Sequence, residues 1–271
     1  MSGASGARQQ GSRAASSPAL GWLARAGLAA RGVVYAVIGV LALEVALGQG
    51  GKATDQQGAL RTIAQGPFGK FLLVVLAIGL AGYAAWRLLR AGVGHGAEQH
   101  DDTPDRVAAA ASGISYAILC FTAIEILAGS GGGSGSPKKT TGGVLDWSIG
   151  PALVVIAGLV LIGVAGYQAY KGLGRKFCED SKTEEMGPST QRAFTALGVA
   201  GHVARAVVFA LVGYGLIHAA LTYDPQKAVG LDGALRQLAD ASYGPVLLGV
   251  VAAGLVCFAA YSIADARYRR V

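Results

Sequence analysis

Charge is scarce in this chain. Asp, Glu, Lys and Arg make up 14% of its 271 residues, where soluble domains carry roughly 25%. Beside 52% hydrophobic residues and a positive mean hydropathy, that excludes an ordinary water-soluble domain. Cysteine is equally scarce. Three unclustered Cys offer neither a disulfide framework nor a metal quartet. No nucleophile–base pair, zincin motif, Gly-rich nucleotide loop or redox Cys pair is present, so no catalytic residue can be named. The stretch Gly129–Ser136 before Lys138 is a Gly/Ser linker. It is not a phosphate loop, because Pro137 stands where the motif needs Gly. The first nineteen residues lack the apolar core of a signal peptide and read as a disordered cytoplasmic tail.

One sign of charge is in excess, with a net charge of +7. The Lys and Arg lie in short clusters between apolar stretches rather than on one water-facing surface. Nucleic acid is therefore not the expected partner, and cationic loops of a membrane protein account for the same number. Six segments have the roughly 20 apolar residues that a bilayer core about 30 Å thick requires. They are Gly27–Gly48, Phe68–Trp86, Val107–Ala128, Ile149–Tyr170, Ala206–Tyr223 and Pro245–Ala264. Sixteen Lys and Arg fall on the side that holds both termini. Seven fall on the other: Lys52, Arg61, Lys70, Lys138, Lys139, Lys227 and Arg236. The bias predicts a multi-pass protein of the plasma (inner) membrane with both termini cytoplasmic.

The chain also repeats itself. Arg25 to Glu44 aligns without gaps onto Arg106 to Glu125, with eight of twenty pairs identical. A third copy has Arg205 for Arg31, Phe209 for Tyr35, Gly213 for Gly39 and His218 for Glu44. In the second helices, Ile78-Gly-Leu-Ala-Gly-Tyr-Ala-Ala85 matches Ile162-Gly-Val-Ala-Gly-Tyr-Gln-Ala169. A two-helix unit has been copied and stacked. The predicted fold is an all-α membrane protein of six transmembrane helices, as three parallel two-helix repeats in a pseudo-threefold bundle. The organisation is a tail over 1–19, repeats over 20–92, 105–173 and 192–271, and cytoplasmic loops over 93–104 and 174–191.

Glycine is abundant, at 42 residues, which suits close helix packing in lipid. Gly32/Ala36, Gly113/Ala117 and Ala206/Ala210 are small pairs four apart in the three first helices, and Ala81/Ala85 and Ala165/Ala169 repeat the device in two second helices. Each outer loop ends in Gly-Pro, at Gly66-Pro67, Gly150-Pro151 and Gly244-Pro245, where Pro suits a first helical turn. Gly58-Ala-Leu-Arg61 recurs as Gly233-Ala-Leu-Arg236, predicting a short surface helix in the first and third copies. In the second the Gly/Ser linker replaces it.

These features together resemble the domain of unknown function 1206 family, a group of bacterial, mainly actinobacterial, membrane proteins. The resemblance rests on Arg31-Gly-Val-Val-Tyr35, on Gly58-Ala-Leu-Arg61 with Pro67-Phe-Gly69, and on Gly79-Leu-Ala-Gly-Tyr-Ala-Ala-Trp86. It covers about residues 20–270. It implies an integral membrane protein and brings no established activity or catalytic residue. The second copy departs most, with Ser112 for Arg31.

Three sets of residues could carry function. Glu44, Glu125 and His218 share one repeat position and would form a polar layer near the outer face, able to attract cations or relay protons. Arg25, Arg31, Arg106 and Arg205, with His202, form a basic inner layer suited to anionic lipid head groups. Tyr83, Tyr167 and Tyr261 read as an interfacial aromatic belt. His95 and His100, beside Glu98, Asp101 and Asp102, match no standard metal spacing. Cys120 and Cys257 replace Gly39 and Gly79 as small packing residues, and Cys178 reads as an exposed thiol of unremarkable pKa. His202 and His218 lie about 24 Å apart on one helix, too far to serve one haem though spaced for two. No cofactor and no metal are expected. The preferred reading is a non-enzymatic membrane scaffold that binds a membrane-protein partner or lipid. The alternative is a small-ion or solute pathway along the pseudo-axis. An enzyme acting on lipid lacks any catalytic set.

Overall fold

The computed structural model describes residues 18–93, 103–130 and 137–270. Most of the tail, of the 93–104 loop with His95, Glu98, His100, Asp101 and Asp102, and of the Gly/Ser linker lies outside the described residues. Among those described run nine α-helices and no strand: α1 (Pro18–Ala46), α2 (Gln56–Gln65), α3 (Gly69–Val93), α4 (Thr103–Leu127), α5 (Pro137–Leu145), α6 (Gly150–Leu173), α7 (Pro188–Leu221), α8 (Leu231–Ala239) and α9 (Gly244–Tyr268). The six long ones, α1, α3, α4, α6, α7 and α9, are apolar and long enough to cross a membrane. With three copies of one unit in the sequence, the chain is an all-α, multi-pass membrane protein.

Each copy is built from the same local parts. The first long helix ends at a residue in the left-handed region: Gly48 (φ 69°), Gly129 (φ 75°) and Tyr223 (φ 52°). The next amide reaches back five residues, from Gln49 to Glu44 O (2.8 Å), Ser130 to Glu125 O (3.0 Å) and Asp224 to Ala219 O (3.0 Å). This satisfies carbonyls that the helix end leaves open. A short helix follows. Asp55 Oδ1 caps the first by accepting the Gly58 amide at 2.8 Å. Leu60 and Leu235 are its buried anchors, and Thr141 is buried on the second. The second copy therefore keeps the short helix, as α5, after its linker. The expectation that the linker replaces it is corrected.

A turn of three residues in the first copy and four in the other two then leads into the second long helix. Gly66, Trp147 and Ala241 donate to Ile63, Val144 and Leu238, and accept from Gly69, Gly150 and Gly244. A Cβ on Gly69 would lie 2.5 Å from Ile63 O, and one on Gly244 would lie 3.0 Å from Leu238 O. Glycine is demanded there by its missing side chain. The equivalent of Gly150 and Gly244 is thus Gly69, not Gly66 as the Gly-Pro match implied. Pro151 and Pro245 sit in the first turn of their helices, while Pro67 lies in the turn itself. From the turn glycine to the repeat's Tyr, the first copy is three residues shorter than the others, about one turn of helix.

The helices form two compact units. One holds residues 1–31, 63–132 and 262–271. Its core is Ala24, Leu28, Tyr83 and Trp86, with Tyr116 against it. Here α1 and α3 meet at glycines: a Cβ on Gly27 would lie 2.7 Å from Gly79 O, and one on Gly79 3.0 Å from Ala26 O. Gly113 of α4 faces the Leu88 side chain of α3, whose Cγ would lie 2.8 Å from a Cβ there. The other unit holds residues 32–62 and 133–261. There Gly158 of α6 and Gly213 of α7 are reciprocal, a Cβ on either coming 2.8 Å from the other's carbonyl oxygen. Gly201 of α7 meets the Phe258 backbone of α9, and Gly39 of α1 meets Val256. Lipid gives no hydrophobic drive between helices, so such close backbone approach supplies the cohesion.

The packing face differs in part from the one expected. Gly32, Gly113, Ala206 and Ala165 are buried, and Ala36, Ala169 and Ala210 are half-buried. Ala117, Ala81 and Ala85 are exposed. On α3 the small residues that touch α1 are Gly79 and Gly82, because they project on the side where Leu23, Ala26 and Ala30 lie. The aromatic belt is corrected too. Tyr83 and Tyr261 are only 1% and 2% exposed. Each is held in a ring cluster, Tyr83 with Trp86 and Tyr116, Tyr261 with Phe177, Phe194, His202 and Phe258. Tyr167 alone of the three is exposed.

Candidate functional site

The first helices carry Arg31, Ser112 and Arg205 at one repeat position. The second helices carry Ala84, Gln168 and Ser262 at another, one residue after the repeat's Tyr. The structure joins these positions between copies. Arg31 Nε donates to Ser262 Oγ at 3.1 Å. With its amide oxygen turned to the guanidinium, Gln168 accepts from Arg205 Nη1 at 2.9 Å and Nη2 at 3.3 Å. Where Ser112 replaces arginine, the partner position is Ala84, and the Ser112 hydroxyl donates to Ala109 O of its own helix at 3.0 Å. The polar pair is present or absent as a whole, as expected where an unpaired polar group in hydrocarbon is costly.

The two arginines are neutralised differently. Asp265, 1% exposed, lies 3.8 Å from Arg31 Nη2 and 3.4 Å from Arg269 Nη1. One carboxylate serves two buried guanidiniums. Its counterpart in the second copy is Lys171, whose ammonium goes to Asp180 at 2.6 Å, so that position offers Arg205 no carboxylate. Arg205 instead stands over three ring faces, Phe258 (4.4 Å), Phe209 (5.1 Å) and Tyr35 (5.3 Å). A desolvated cation–π contact contributes about 2 kcal/mol. Among the described residues its Nε has no hydrogen-bond partner.

Two of the four arginines of the basic layer are thus engaged within the protein itself. Arg31 is buried in its ion network, and Arg205 is enclosed by rings. Arg106 donates to Ala91 O (3.0 Å) and Gly92 O (2.7 Å) at the end of α3, a favourable place for a cation. Arg25 is half-buried and stands 5.8 Å from the Trp22 ring.

His202 is buried, with Nδ1 2.8 Å from Gly198 O and its ring stacked on Phe177 at 5.0 Å. Phe177 comes from the 3-10 turn Lys176–Cys178 after α6, and Gly198 leaves room for its ring. The segment between α6 and α7 is thus anchored in the unit's core. Cys178 beside it is half-buried, not exposed, with Sγ 3.8 Å from Thr195 Oγ1. Burial pushes its thiol up, against the lowering effects of Thr195 and Arg175. Its alkylation by iodoacetamide should be slower at pH 7 than that of free cysteine, with the rate–pH profile displaced upward. A rate matching the free thiol would contradict this burial.

The polar layer is half-buried at all three residues. Glu44 and Glu125 occupy one place, each giving its carbonyl to the cap. His218 does not, since Ala219 fills that role and α7 runs one residue further. The Glu44 and His218 side chains lie in one unit and form no ion pair among the described residues. The His218 ring lies 5.7 Å from that of Tyr214, and Gly51 folds back onto the Glu44 Cβ. Among the described residues no His, Cys, Asp or Glu cluster could hold a metal ion. Sequence reasoning missed Ser262, Gln168, Asp265 and Phe177. The first three were traceable, because they stand at fixed offsets from the repeat's Tyr.

The geometry repeats where comparison with known proteins finds repeats. The family described as Domain of Unknown Function (DUF1206) matches over residues 26–94, 107–175 and 200–269. The chain is 34% identical over 250 residues to the uncharacterized protein YxxB of Bacillus subtilis (strain 168), covering 91% of this chain and 90% of that protein. No solved structure matches it significantly. Three matches in tandem, each spanning one long-helix pair, mean that the chain belongs to the DUF1206 family.

Proposed function

We propose that the protein is a non-enzymatic scaffold of the plasma membrane, with both termini cytoplasmic, that binds membrane-protein partners and anionic lipid. The observation that carries this reading is the use made of charge inside the spans. Asp265 is the counter-ion of both Arg31 and Arg269, and Gln168 and three rings hold Arg205. These groups tie helices together. The pathway alternative needs polar side chains facing a common channel. Ser115 and Thr122 instead donate to Ala111 O (2.9 Å) and Ile118 O (3.1 Å) of their own helix, which favours the scaffold.

Two measurements test the reading. In intact cells, with Cys120, Cys178 and Cys257 replaced, Gln49→Cys should react with an impermeant maleimide and Glu179→Cys should not. Both positions are exposed, so access depends on the side of the membrane alone, and the reverse pattern would overturn the orientation. Native mass spectrometry of the purified protein should show anionic phospholipid retained in preference to phosphatidylcholine. Equal retention would remove the lipid-binding half of the proposal.

A further inference from the structure

We infer that the exposed face of α7 near its start is a seat for one anionic phospholipid, with the phosphate held by Arg175 and Arg192. This deepens the lipid-binding reading above and rests on it. A groove of about 730 Å³ opens there. Its lining joins Arg175, Gln191, Arg192 and Thr195 to the apolar Ala196, Val199 and Ala200.

The charges around the groove single out two cations. Lys171 goes to Asp180 (2.6 Å), Lys176 to Glu179 (2.9 Å) and Lys182 to Glu185 (2.9 Å). Arg175 and Arg192 enter no ion pair among the described residues. A planar guanidinium matches a phosphate with two parallel hydrogen bonds, which an ammonium cannot do. Arg175 is also fixed in place. It sits in the left-handed region at φ 55°, with its amide bonded to Gly172 O and its carbonyl accepting from the Cys178 amide. The helix that begins beside it has Pro188 in its first turn and no side-chain cap. Its partially positive end adds to the same field.

The apolar part of the lining decides the class of ligand. Ala196, Val199 and Ala200 run on to Val203 and the exposed Val207 along α7. A free anion makes no contact with that strip, whereas the apolar part of a bound lipid packs against it. Position along the chain agrees. Arg175 lies five residues past Tyr170, where the fourth span ends, close to the head-group layer that borders the hydrocarbon core.

The test uses the full chain in neutral detergent, titrated with phosphatidylglycerol, phosphatidylcholine or inorganic phosphate and read by native mass spectrometry. The Arg175→Gln/Arg192→Gln variant should lose about tenfold in affinity for phosphatidylglycerol, the scale of one lost charge-assisted pair. Phosphatidylcholine binding and the lipid-free melting temperature should stay unchanged, because neither arginine holds the fold through an ion pair. If the parent prefers phosphatidylglycerol and the double variant binds it equally well, the groove is refuted while the lipid-binding reading stands. If the parent shows no preference, both fail. Inorganic phosphate bound as tightly as the lipid would make this a simple anion site and overturn the assignment to phospholipid.

Discussion

Asp265→Asn should cost about 3–5 kcal/mol, the usual loss when a buried pair is broken by removing one partner. The carboxylate is the shared counter-ion of Arg31 at 3.8 Å and Arg269 at 3.4 Å. Without it both buried guanidiniums lose a carboxylate partner. Thermal unfolding in detergent should fall by on the order of 10 °C. The apolar triple variant Arg31→Met/Asp265→Leu/Arg269→Met should recover most of that loss, since replacing a whole buried ionic set by apolar side chains is often neutral. A single variant that melts like the parent would mean that water or lipid already screens these charges.

Gly201→Leu is the second large effect. A Cβ at this position lies 2.6 Å from Phe258 Cα and 2.8 Å from Phe258 N, and backbone atoms cannot swing aside as a side-chain tip can. The helices α7 and α9 must separate, at or beyond the upper end of the about 1–3 kcal/mol typical of overpacking. Gly163→Ala on α6 is the matched control. Nothing lies within 4 Å of its Cβ position, so relief of backbone entropy should stabilise by about 0.5–1 kcal/mol. Melting curves of the two variants in one detergent check the contrast. Equal curves would contradict the glycine-mediated packing.

The periodic, apolar parts of this fold could be read directly from the sequence. Six spans and three copies follow from hydropathy and self-similarity, and each span falls on a long helix. Register was harder, because one or three extra residues inside a helix leave the apolar pattern intact. Only the caps show that Ala219, not His218, stands where Glu44 does, and only the turn hydrogen bonds match Gly69 to Gly150. The side on which a small residue faces was also hidden, as Ala81 and Gly79 differ by two positions and by the whole difference between exposed and packed. The paired set of Arg31 with Ser262 and Arg205 with Gln168 needed knowledge of which helices touch. Repeat positions alone suggest the partners but not the contact.

Purified protein reconstituted into sealed liposomes, under an imposed proton or potassium gradient, tests the scaffold reading most directly. Charges spent on holding helices together predict flux no greater than in protein-free vesicles, with Glu44→Gln and Glu125→Gln changing nothing. A flux above that background, lost in either variant, would contradict it and assign the glutamates to a pathway.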